Sequence, residues 1–254
     1  MSGAGDAALV AVAHGSRDPR SAATVAALMD AVRRRRPDLD VRLSFLDLSA
    51  PRLPDVLAAV DAGYDRAVVV PLLLGHAFHA RVDVPGAVAE AARRHPRLAI
   101  TTSAVLGGDT RLEDAALDRL AAVAGPLDDP DLGVVVAAIG SSHAPANAAV
   151  HRIAQRWAAR FGWAGAGAAF ATATTPTVAD AVTALRAGGA RRVAVAPWIL
   201  APGLLPDRMA RDALAADPAA VVAAPLADHP AVAAVVVDRW AAASGVVPAG
   251  RLVG

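Results

Sequence analysis

Histidine and the carboxylates are the side chains that hold metal ions and move protons near neutral pH. In this sequence they gather after a few short apolar runs. His14 ends the run Ala8–Ala13, in Ala13-His14-Gly15-Ser16-Arg17-Asp18-Pro19-Arg20. His76 and His79 follow the run Ala67–Leu74 with the H-x-x-H spacing of a metal pair, and Asp47 closes Val41–Leu46. Two histidines and a carboxylate without a thiolate suit a labile divalent ion better than a permanent structural one. Each residue also has a plainer reading. His14 alone could be a structural histidine bonding a carbonyl, one of His76 and His79 a rim residue, and Asp47 a helix cap or turn residue.

Composition removes many other chemistries. The 254-residue chain has no Cys, which excludes disulfides, Cys-ligated zinc, iron–sulfur clusters and thiol nucleophiles. All 25 basic side chains are Arg, so Schiff-base chemistry and the Lys of a phosphate-binding loop are excluded too. A formal charge of +1 and 4% aromatic residues argue against a nucleic-acid binder. There is no G-x-S-x-G elbow and no H-E-x-x-H, so neither a serine hydrolase nor a zinc protease is expected. No cationic stretch precedes Ala7–Ala13, and no twenty-residue apolar stretch lacks a charge, Pro or Gly. The expectation is a cytoplasmic chain without signal or membrane span.

The elements that must position these residues read as an alternation. Strand-like runs are expected at Ala8–Ala13, Val41–Leu46, Ala67–Leu74, Leu98–Val105, Gly133–Ile139, Gly167–Ala173, Val193–Leu200 and Ala219–Ala224. Helical candidates between them include Arg20–Arg36, Leu53–Ala62, Pro85–His95, Leu112–Val123, Asn147–Arg160, Val178–Ala187 and Val232–Ala243. Val- and Leu-rich strands that do not alternate with polar residues belong to parallel sheets covered on both faces.

Eight such units could close a barrel. They fall instead into two similar sets of four. Phe45 and Phe170, Pro51 and Pro176, Asp55 and Asp180, Gly15-Ser16 and Gly140-Ser141, and Arg66 and Arg191 are all 125 residues apart. The last helices match at 120, through Asp118-Arg119 and Asp238-Arg239. The fold class expected is therefore α/β, with two similar domains from an internal duplication. Each would be a four-stranded parallel sheet flanked by helices. The domains are placed at residues 1–125 and 131–254, joined across Ala124–Leu132 with its Gly125-Pro126 and Asp128-Asp129-Pro130. A duplicated half-barrel stays open.

Ligands of open parallel sheets bind beyond the carboxyl ends of the strands. There the two halves differ. Ile139 stands where the first half has His14, and Leu204 is matched to His79. The metal-capable groups thus lie in one half.

The motifs His14-Gly15-Ser16-Arg17-Asp18-Pro19-Arg20, Phe45-Leu46-Asp47 ahead of Pro51, and His79-Ala80-Arg81-Val82-Asp83-Val84-Pro85 resemble those of the CbiX/SirB family. That family comprises class II chelatases, which insert a divalent metal into sirohydrochlorin without ATP. The resemblance covers both halves. It implies two facing chelatase-like domains with the functional histidines in the first. His14 and His79 would bind metal and accept protons, with Asp47 as a further catalytic residue at a position where many relatives have Glu. No permanently bound cofactor is implied; Fe2+ or Co2+ is a substrate, for siroheme or cobalamin. The partner is sirohydrochlorin, a polycarboxylate whose pocket needs an apolar floor and a cationic rim. Leu72–Leu74 and Phe78 are the floor candidates, and Arg17, Arg20 and Arg81 with Ser16, Ser141 and Ser142 the rim. The second half would form the opposing wall of one cleft, with the Trp198–Leu205 loop at the macrocycle, and a monomer would suffice. A non-catalytic tetrapyrrole or metal carrier and a nickel-inserting chelatase remain as alternatives.

Overall fold

The computed structural model describes residues 7–75 and 83–245. Its first repeat runs β1 (Ala8–Ala13), α1 (Pro19–Arg35), β2 (Val41–Phe45), α2 (Leu53–Asp61), β3 (Arg66–Pro71), α3 (Val84–Arg94), β4 (Ala99–Thr102) and α4 (Thr110–Ala124). The second repeats the order with β5 (Leu132–Ala138), α5 (Ala144–Phe161), β6 (Gly165–Phe170), α6 (Val178–Ala187), β7 (Arg192–Pro197), α7 (Leu204–Ala216), β8 (Val221–Val222) and α8 (Pro230–Ser244). The strands form two parallel four-stranded sheets, ordered β2-β1-β3-β4 and β6-β5-β7-β8.

Each sheet is covered on both faces, which is why its central strands carry no polar side. In the first sheet Ala8, Val10 and Val12 pack with Leu53, Val56, Leu57 and Val60 of α2 and with Val84 and Ala91 of α3. Strand alternation sends Leu9 and Ala11 to the other face, covered by α1 and α8. In the second sheet Val135, Ala137, Val193 and Val195 pack on α6 and α7, and α4 contacts β7 and β8 while α5 contacts β5 and β6.

The two compact units do not coincide with the two repeats. One contains the described residues up to Asp109 together with those from Ala227 onward, and the other is Thr110–Leu226. The last helix of each repeat has changed sheets. This departs from the expected boundary at 125/131, which kept α4 with the first sheet and α8 with the second. Helix α8 is buried nearly all round, including Val232, Val235, Val236, Val237, Trp240 and Ala241. A run of Val disfavours an isolated helix, so packing carries this one. Trp240 is fully buried, and its indole N–H donates to the Ala7 carbonyl at 3.0 Å. Arg239 donates to the carbonyls of Val105 and Leu106, holding the loop after β4. In the other unit Glu113 of α4 accepts from the Trp157 indole at 2.9 Å and pairs with Arg156.

The duplication is visible in the backbone. Gly15 and Gly140 have φ of 96° and 90°, and Leu48 and Ala173 have φ of 60° and 64°. Both pairs are 125 residues apart. In the third strands the spacing changes: Val12 pairs with Pro71, whereas Ala137 pairs with Pro197. The counterpart of Arg66 is therefore Arg192 rather than Arg191, because α6 is one residue longer than α2. Helix α7, absent from the sequence expectation, begins at Leu204, which shortens the expected Trp198–Leu205 loop to end at Gly203. Among the described residues no helix is long and apolar enough to cross a membrane.

Candidate active site

In the first sheet β1 is central, and the chain leaves it for β2 on one side and returns to β3 on the other. The strand order reverses between β1 and β3, and this switch point is where a parallel sheet opens a crevice beyond its carboxyl edge. His14 is the first residue past β1, and the loop that begins at Leu72 lies beside it, tied by the Leu72 N–H donating to the Val12 carbonyl at 2.8 Å. His76, Phe78, His79 and Arg81 belong to that second loop by sequence and lie outside the described residues.

Three hydrogen bonds and one close approach hold the His14 loop against the loop after β2. The Asp47 N–H donates to the His14 carbonyl at 2.9 Å. The Ser49 hydroxyl accepts the Ser16 N–H and donates to the Ser16 carbonyl, both at 3.1 Å. Gly15 is required between them: its φ is +96°, and a Cβ would lie 1.7 Å from the Asp47 carbonyl oxygen. Ser16 in turn accepts the Asp18 N–H at 3.1 Å, and Asp18 caps α1 by accepting the Arg20 N–H at 2.9 Å. Such a cap satisfies one of the unpaired donors of the first turn.

Charge is arranged tightly at this edge. Asp47 is an exposed turn residue paired with Arg52 at 2.8 Å, and α2 is capped at Arg52, not at Asp47. The Leu48 N–H beside the Asp47 carboxylate, then the Arg52 hydrogen bond and the fields of Arg52 and His14, hold it below the usual carboxylate range. It is an anion at neutral pH. Asp18 is lowered likewise, first by the Arg20 guanidinium hydrogen bond. That bond makes Arg20 a partner of Asp18. Arg17 is exposed. Leu72 is 4% exposed, and Leu73 packs against the core, so of the expected leucine floor only Leu74 and the exposed side of Leu73 face outward. Among the described residues no three His, Asp or Glu side chains converge as a metal cage.

The second sheet repeats this backbone with other side chains. The Thr172 N–H donates to the Ile139 carbonyl at 2.9 Å, and a Cβ on Gly140 would lie 2.1 Å from the Thr172 carbonyl oxygen. Ser141 is clamped by Asn147, whose Oδ1 accepts its N–H at 3.0 Å and whose Nδ2 donates to its carbonyl at 2.7 Å. The Ser141 hydroxyl accepts the His143 N–H at 3.0 Å, and Ser142 is exposed. Counting 125 residues from His79 reaches Leu204, and the count of 126 seen at Pro71 and Pro197 reaches Leu205. Either leucine leaves the position without a ligating atom.

The CbiX family model matches residues 8–123 and 133–243, both repeats in full. The chain belongs to the CbiX family. Relatives include the sirohydrochlorin ferrochelatase of Priestia megaterium, 25% identical over 202 residues that cover 78% of this chain and 74% of the relative. A sirohydrochlorin cobaltochelatase of the same organism is also 25% identical, over 78% of this chain and 65% of its own length. Among solved structures, the cobalt complex of the sirohydrochlorin chelatase SirB from Bacillus subtilis subspecies spizizenii superposes with a TM-score of 0.78. It covers 94% of this chain and 96% of SirB at 23% identity, which shows a shared fold. The family match thus covers both repeats, whose loops differ at the switch points.

Ser49, Arg52 and Asn147 were not singled out from sequence. Arg52 has a faint signal, an opposite charge five residues after Asp47. Ser49 and Asn147 have none, since each acts on backbone brought near only by the sheet.

Proposed function

We propose that this chain inserts a divalent metal ion, Fe2+ or Co2+, into sirohydrochlorin without ATP. The observation that supports the reading most directly is His14, an imidazole at the switch point of a CbiX-family sheet. The net reaction exchanges M2+ for two pyrrole protons. A neutral imidazole fits both halves of that exchange. Its lone pair holds the ion while water leaves, and once the ion has passed to the ring nitrogens the same lone pair takes a proton. In this proposal His14 and His79 are the metal-holding and proton-accepting pair. The Asp47 anion, hydrogen-bonded through its backbone to His14, favours the imidazolium that results. Arg17 and Arg81 are assigned to the carboxylates of the substrate, Phe78 to its apolar face, and the Ser16 hydroxyl, whose oxygen already accepts an N–H, retains a proton to donate.

Anaerobic absorbance spectroscopy of sirohydrochlorin with Fe2+, Co2+ or Ni2+, with and without the protein, tests this. The expected result is a faster spectral conversion with Fe2+ or Co2+ than in the protein-free mixture. Equal rates with and without protein for every ion would refute the proposal.

A further inference from the structure

Leu48 carries two features that its turn does not explain together. Its φ of +60° lies in the left-handed region, which Gly and Asn occupy far more readily than a γ-branched residue. Its side chain is also, among the described residues, one of few large apolar groups displayed to water, at 45% exposure. The counterpart Ala173 has φ of +64°, so the turn dictates the backbone in both units. It does not dictate an isobutyl group, since the second unit completes the same turn with a methyl. Leu48 follows Asp47, whose N–H is bonded to the His14 carbonyl, and precedes Ser49, which clamps Ser16. The leucine therefore stands on a loop tied directly to His14 at the carboxyl edge of the sheet. Its neighbours Asp47 and Arg52 are already paired with each other.

We infer that Leu48 is a substrate contact, packing its isobutyl group against the flat apolar face of a tetrapyrrole bound at the His14 edge. The inference rests on the proposed chelatase function. A tetrapyrrole offers a conjugated face inside a charged periphery, and an aliphatic group can cover that face without desolvating any polar partner. The paired Asp47 and Arg52 cannot do so.

The test exploits opposite demands on one residue. Leu48→Gly and Leu48→Asn both suit a left-handed turn, so each keeps or raises the thermal midpoint. For a mere turn residue, affinity would not change. For a substrate contact, the dissociation constant for metal-free sirohydrochlorin, read by fluorescence quenching, rises about fivefold to tenfold. Leu48→Met, which keeps the apolar bulk, stays within about twofold of the parent, as does Ala173→Gly. Unchanged affinity in the Gly and Asn variants overturns the inference while the parent's insertion activity stands. A parent that binds no tetrapyrrole overturns both the inference and the function on which it rests.

Discussion

The two switch points are built on one backbone plan and furnished differently. Each has a positive-φ glycine pressed against a carbonyl of the neighbouring loop, a serine clamped through both its N–H and its C=O, and a left-handed residue in the turn after the second strand. Only the first has His14 and Asp47; the second has Ile139 and Thr172 at these places. Even the clamps differ, a serine hydroxyl from the adjoining loop in one and an asparagine amide from the following helix in the other. The loop conformation is thus maintained without a His14 or an Asp47 to serve. Backbone hydrogen bonding and the glycine fit hold the crevice open for their own reasons, and chemistry is added by two or three side chains. Such a duplication can lose one set of ligands without losing a fold.

The contrast extends to the exchanged helices, and the largest expected effect is there. Trp240→Ala should cost about 3–5 kcal/mol of stability, with hydrogen exchange rising in β1 and β3. The matching change in α4, Leu120→Ala, should cost about 2–5 kcal/mol, with exchange rising in β7 and β8. If Trp240→Ala loosened β5 and β7 first, the assignment of α8 to the first sheet would be wrong.

The next effect separates the ligand sets. His14→Ala or His79→Ala is expected to slow insertion by at least about a hundredfold, with the circular dichroism spectrum kept. Ile139→Ala and Leu205→Ala should stay within about threefold, since neither side chain carries a ligating atom. A His14→Ala protein that inserts metal at the parent rate would erase the chemical difference between the units.

A smaller change probes Asp47. Because its pKa is held below the carboxylate range, it is ionised throughout the neutral region. Protonation on the acid side of a rate profile is then expected on an imidazole. Asp47→Asn is expected to reduce turnover roughly tenfold and to move the midpoint of the acid limb to lower pH, because the imidazolium loses its neighbouring anion. A limb that disappears with this change would make Asp47 the titrating group. The mildest effect concerns substrate charge: Arg81→Ala should raise the KM for sirohydrochlorin about threefold to fivefold and flatten its rise with salt. A salt dependence identical to the parent's would move the cationic rim elsewhere.

Much of this contrast was legible in residue order. The apolar runs mark the sheets because strands buried on both faces need no polar side, and His14 against Ile139 follows from counting 125 residues. The count slips by one at the third strands because the insertion lies within α6, where an extra helical residue leaves no compositional mark. Helix α7 escaped notice because Pro202, Gly203 and Pro206 punctuate its start. Pro206 is tolerated there since the first turn has no internal partner for its missing N–H. The pairing of Arg20 with Asp18 is not marked in the sequence beyond their nearness. The exchange of α4 and α8 has no signature at all. An apolar helix declares that it will be covered, not which of two similar sheets will cover it.

That exchange sets an order on how the protein is made. Synthesis proceeds from the amino end, so β1 to β4 leave the ribosome first. Yet α8, which with α1 covers one face of their sheet, emerges only after the whole of the other unit. The other unit is a continuous stretch, Thr110–Leu226, and has all its parts earlier. The unit bearing His14 is therefore begun first and finished last. A chain ending before residue 230 would contain every residue of the second unit, and a first sheet with Leu9, Ala11 and Val68 still lacking part of their cover. Such a chain would be a substrate for chaperones rather than for metal.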